Sequence, residues 1–190
     1  MERSSADKAT PYAKALSRCT IRARVAFVLA IAERAYTTIE TNATQRGQIR
    51  NALDLAQRWQ DNAYVSGDSL YEAVVGDAQE MLAESAFFFF TPDSNDPRTF
   101  AWSTIISAMF YISWHAYGRR GRLPEPIADV EEEDIDHTVK LALRIPNFNG
   151  AAIERLARYC IRHYRSPDGS DLGEPISAQT MLEAADWDNA

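Results

Sequence analysis

Cysteine is nearly absent from this chain of 190 residues: Cys19 and Cys160 stand far apart, each among apolar neighbours. Two such residues build no disulfide framework, and each reads as a small buried hydrophobe. Histidine is scarce too, with His115, His137 and His163 the whole supply. A structural zinc site needs four ligands in paired spacing. A di-iron helical bundle needs a Glu-x-x-His pair on each of two helices and two further glutamates, and neither set is present. The sequence also lacks a GxGxxG turn, a GxxxxGK loop followed by Ser or Thr, and a GxSxG elbow, which removes the common nucleotide-binding and hydrolase signatures. No window alternates apolar and polar residues between turn signals, so no sheet is expected. Nor is there an unbroken apolar run of about 18 residues of the kind a membrane-spanning helix needs. The expectation is a chain with no cofactor, no metal, no catalytic constellation and no membrane span.

What is present is charge and helical periodicity. Lys and Arg number 20 against 27 Asp and Glu, a net charge of -7. That balance disfavours nucleic-acid binding, which draws its affinity from phosphate neutralisation, and favours a basic partner. The excess is C-terminal: 10 basic residues stand with 12 acidic ones through Asn95, and 10 with 15 after it. From Glu2 to Lys8 the chain is polar and leads into no apolar stretch of the secretory kind, so the protein is read as cytoplasmic. With 46% hydrophobic residues the chain suits one domain over residues 1–190, with 1–18 as a flexible N-terminus.

Ile21, Val25, Val28, Leu29, Ala32 and Tyr36 recur in steps of three and four, which predicts a first long helix. Ile49, Leu53, Ala56, Trp59 and Ala63 repeat the pattern over Arg46 to Ala63, with Arg50, Asp54 and Arg58 along the other side. Ser69 with Glu72 fits a capping box for a third helix from about Leu70 toward Phe88. Asp96 before Pro97 starts a fourth, running to about Tyr117. Phe100, Trp102, Ile105, Ile106, Met109, Phe110, Tyr111, Ile112 and Trp114 cover every face of it, which makes it the central helix of a bundle. After a loop carrying Arg119, Arg120 and Arg122, Asp129 is expected to cap a fifth helix that Pro146 ends. A sixth runs from about Gly150. Residues 166–176 form a loop, and Ser177 caps a short last helix to Ala185. The fold class is therefore all-α: a single-domain bundle of about six to seven helices around a central apolar helix.

Glu131, Glu132, Glu133, Asp134 and Asp136 place five carboxylates within six residues. First-turn acids suit a helix dipole, and a patch this dense could also steer a basic protein surface to dock. Asp77, Glu80 and Glu84 form a second acidic stripe on one face of the third helix. Arg155, Arg158, Arg162 and Arg165 run along the sixth helix and are expected to pair with neighbouring acids. Phe87 to Phe90 cannot all point inward from one helix, because successive residues are about 100° apart; they are core or an interface anchor.

The stretch from Arg24 to Tyr36, Arg-Val-Ala-Phe-Val-Leu-Ala-Ile-Ala-Glu-Arg-Ala-Tyr, followed by a long aromatic fourth helix, resembles the immunity protein 6-like family of bacterial polymorphic-toxin systems. The similarity spans the apolar skeleton from about Val25 to Tyr164. It implies an all-α protein that neutralises a cognate toxin by protein-protein occlusion, and the acidic charge balance leads to the expectation that this toxin is basic. It carries over no individual contact residue. Two other readings stand beside it: a helical enzyme using the acids of the fifth helix as a magnesium-binding site, and a regulatory adaptor or homo-oligomer held by the Phe cluster.

Overall fold

The computed structural model describes residues 12–39, 43–61, 64–76, 97–118 and 123–188. Among these the chain forms nine helices and no sheet: α1 (Tyr12–Leu16), α2 (Ile21–Thr38), α3 (Ala43–Gln60), α4 (Gly67–Val75), α5 (Pro97–Tyr117), α6 (Glu125–Ala128), α7 (Asp134–Ala142), α8 (Gly150–His163) and α9 (Ala178–Ala185). The expected all-α bundle is what forms. No described helix is long and apolar enough to cross a membrane.

The core is built on a pair of helices, not one. α5 is central as its all-round apolar composition requires, and α2 packs along it with every residue from Arg22 to Ala32 buried. The three- and four-residue spacing in α2 had suggested one inward face. Ala23, Ala26, Ala30 and Ala32 fill the remaining faces and let neighbours approach on all sides. α3 and α4 cover one flank of this pair, α7 another, and α8 and α9 lie against α2. The polar residues of α5 fit the core because each hydroxyl is satisfied within its own helix. Ser103, Thr104 and Ser113 donate to the carbonyls of Thr99, Phe100 and Met109 at 2.7, 2.7 and 2.8 Å.

Helix starts follow the capping rule, with two corrections. Ser177 and Asn149 accept from the amides of Thr180 and Ala152, as N-caps do. The third predicted helix is capped by Ser66 instead of Ser69, and Ser69 supplies the bonded amide at 3.1 Å. α4 has ended by Gly76, at φ 54°; the rest of the expected span toward Phe88 lies outside the described residues. Asp129 does not cap the fifth predicted helix. It closes the short α6, which Pro124 and Pro126 initiate, and α7 begins only at Asp134.

The loop after α8 is tied to the start of α2. The amides of Ile21 and Arg22 donate to the carbonyls of Asp171 and Leu172 at 2.8 and 3.0 Å. The buried Arg22 donates to the Gly173 carbonyl at 2.8 Å, and the buried Arg24 to those of Cys19 and Gly169 at 2.8 and 2.9 Å. Gly169 is at φ +77°, and a Cβ there would lie 2.0 Å from the Ser17 carbonyl oxygen. Only glycine permits this approach.

Candidate functional site

The acids from Glu131 to Asp136 span the turn into α7, and the fold puts them to different uses. Glu132 folds inward. One of its oxygens lies 3.2 Å from Nη2 of Arg24, and the other accepts from the Tyr111 hydroxyl at 2.6 Å. Arg24 is 5% exposed at its side chain and Tyr111 is fully buried, so Glu132 is the carboxylate that neutralises a cation in the core. His115 stands beside them. Its Nε2 is 3.9 Å from Glu132, too far for a hydrogen bond, and among the described residues it has no other acceptor or donor. Burial and the nearby Arg24 charge push His115 down to about 3, so this imidazole is neutral. Burial and the Glu132 carboxylate hold the Tyr111 phenol well above its ordinary value.

Asp134 accepts the Glu131 amide at 2.7 Å and shapes the turn. Asp136 accepts the amides of Tyr12 and Ala13, capping α1 from another helix. Glu131 and Glu133 are left with exposed side chains. The five acids therefore diverge: three serve the fold, and two face solvent. Among the described residues no group of three His, Cys, Asp or Glu side chains is gathered to hold a metal ion. Asp77, Glu80, Glu84 and Phe87 to Phe90 lie outside the described residues. Of the predicted basic stripe, Arg155 uses backbone carbonyls in place of acids, donating to Ala185 and Asp186 at 3.0 and 2.7 Å and closing α9.

An open cleft of about 320 Å³ lies between α5, α6 and α7, and the two exposed glutamates are chain neighbours of Val130 and Asp134, which line it. Ile106, Phe110, Val130 and Leu141 line it as half-buried apolar residues, and Asp129, Asp134 and His137 add polar groups. A 2.8 Å hydrogen bond between the hydroxyls of Ser107 and Thr138 joins its two walls. This cleft explains the half-exposed part of α5: an all-round apolar helix leaves Ile106 and Phe110 incompletely covered by described residues. Sequence reading missed it because no periodicity distinguishes an apolar residue covered by a neighbour from one left at a surface. An apolar floor with acids at its edge offers contact area to an apolar side chain and attraction to the basic groups around it.

The family model described as Immunity protein Imm6 matches residues 23–145, more than half of the chain. That span holds most of α2, all of α5, and the whole cleft with its acidic edge. No curated protein and no solved structure matches the chain.

Proposed function

Because the chain belongs to the Imm6 family of immunity proteins, we propose that it binds one cognate bacterial toxin and neutralises it by covering the toxin's active site or substrate groove. The family implies a role as inhibitor, and the observation that supports a docking surface is the acid-edged apolar cleft inside the matched span. A basic toxin surface is drawn by Asp129, Glu131 and Glu133, and an apolar or aromatic anchor seats on Ile106 and Phe110. Glu132, Asp134 and Asp136 contribute to the negative field of this face while holding its shape. The second acidic stripe, Asp77, Glu80 and Glu84, is part of the same proposal and is tested by its own reversal. The protein acts in the cytoplasm, where a toxin with an intracellular target would meet it.

The test is co-expression with the cognate toxin, followed by purification of the complex. The reading expects a stoichiometric complex and loss of toxin activity. Reversal of Asp129, Glu131 and Glu133 to Lys should weaken the complex at low salt and flatten its salt dependence. A complex of unchanged affinity and unchanged salt response in that variant would remove the cleft edge from the interface. Failure of the wild-type chain to inhibit any toxin would remove the proposed function itself.

A further inference from the structure

A second charged feature of the molecule has the opposite sign. α1 lies against α8, and beside this contact two open cavities of about 330 and 420 Å³ share Ile161 and Arg165. They form one groove. Lys14 and Arg18 line one end and Arg158 and Arg162 the other, with Arg165 common to both. All five cations have exposed side chains. Among the described residues none of them has a carboxylate within ion-pair distance, and Glu154, one turn before Arg158, does not pair with it. The internal pairing expected from the sequence is not made by Arg158, Arg162 or Arg165 with any described acid. Arg158 and Arg162, four residues apart on α8, are like-charged neighbours that repel, and Arg165, just past the helix end in a backbone bridge to Cys19, adds a third cation to the same groove. A bound anion relieves that repulsion.

The groove shares no residue with the acid-edged cleft, and every residue that lines it lies outside the matched span of 23–145. We infer that it docks an acidic segment of a partner protein, whose carboxylates pair with Arg158, Arg162, Arg165, Arg18 and Lys14 around an apolar side chain seated on Ile161. Arginine forks match carboxylates and phosphates alike, so the arginines alone do not choose. Two observations do. The half-buried Ile161 between the cations offers contact to an apolar side chain and nothing to a phosphate. The chain as a whole carries -7, so an extended polyanion such as a nucleic acid or an anionic membrane is repelled wherever it leaves the groove. A short acidic segment stays inside it.

The test is fluorescence anisotropy on the full chain with two labelled peptides of equal negative charge, one of Glu and Leu and one of Glu and Ser. A single-stranded oligonucleotide and phosphatidylserine-containing vesicles serve as rival probes. The Glu/Leu peptide should bind more tightly than the Glu/Ser peptide. Its affinity should fall about tenfold or more as ionic strength rises from about 0.01 M to about 0.15 M, where the screening length shrinks from about 30 Å to about 8 Å. The variant R158E/R162E/R165E, confirmed as folded by circular dichroism and an unchanged Tm, should abolish binding of both peptides. I161S should bring the Glu/Leu peptide down to the level of the Glu/Ser one. Absence of saturable binding, equal binding of the two peptides, or preference for the oligonucleotide or vesicles would each overturn the inference. So would self-association of the wild-type chain that the triple reversal abolishes, which would make a second copy the occupant. Reversal at Asp129, Glu131 and Glu133 leaves this binding unchanged, so the outcome is independent of the toxin-docking reading.

Discussion

Glu132 shows how one carboxylate in an acidic run can be structural while its neighbours face solvent. It is about two fifths exposed at its side chain, yet it is the partner of a guanidinium that is 5% exposed and the acceptor for a phenol that is fully buried. Glu132→Ala leaves the Arg24 charge without its anion and the Tyr111 hydroxyl without its acceptor. The expected cost is about 2 to 3 kcal/mol, because an unpaired buried donor loses its water and gains nothing. Glu131→Ala on the exposed side should change stability by less than about 0.5 kcal/mol. Denaturant melts of the two variants check this, and equal costs would mean that Glu132 does not sustain the Arg24 site. His115 adds a pH signature. Its folded-state value of about 3 lies below the ordinary 6.5, so the unfolded chain binds a proton that the native chain refuses. Stability then falls as pH drops from about 6.5 toward about 3, by up to a few kcal/mol from this residue, with no further loss below that window. His115→Asn should flatten the curve between those limits relative to wild type.

At the scale of the helices, the chain is held by contacts between distant segments. α1 has five residues, too few to stand as an isolated helix, and its first amides are taken by Asp136 from α7. Asp136→Ala should cost about 1 kcal/mol, the ordinary worth of a cap, and hydrogen exchange should show faster exchange in α1 while α5 stays protected. Gly169→Ala should be worse. The substituted loop must leave φ +77° and clear the Ser17 carbonyl, which withdraws the Gly169 acceptor from Arg24. A Tm drop of several degrees is expected, and an unchanged Tm would show that the loop reseats freely. These contacts mark where sequence reading stops. The helices themselves were legible, since Val25 to Ala32, Ile49 to Ala56 and Ile153 to Cys160 carry the apolar steps that burial enforces. The cap on α1 was not, because its donor and acceptor are separated by 124 residues. Nor was the inward turn of Glu132: a run of acids gives no local sign that one of them faces an arginine far back in the chain.

At the scale of the molecule, an acidic cleft edge and a basic groove coexist on a chain of net charge -7. The field of the acids acts before contact, whereas the apolar floor acts after it, so the two should separate in the kinetics of toxin binding. If the proposed docking face is right, reversing Asp129, Glu131 and Glu133 to Lys removes attraction that guides the encounter. It should lower the association rate about tenfold or more at low salt and leave the dissociation rate within about twofold. Phe110→Ala removes contact area from the cleft without changing charge. It should raise the dissociation rate about tenfold and leave association and its salt slope unchanged. Phe110 also stacks on Tyr71 at 6.3 Å, so the Tm of this variant is measured alongside, and only a folded variant is informative. Surface plasmon resonance at two ionic strengths distinguishes the roles. If the charge reversals changed only dissociation, the three acids would be pairing directly with the toxin in a desolvated contact instead of steering it. If Phe110→Ala changed neither rate, the anchor would sit elsewhere, and the cleft would be a feature of packing between α5 and α7.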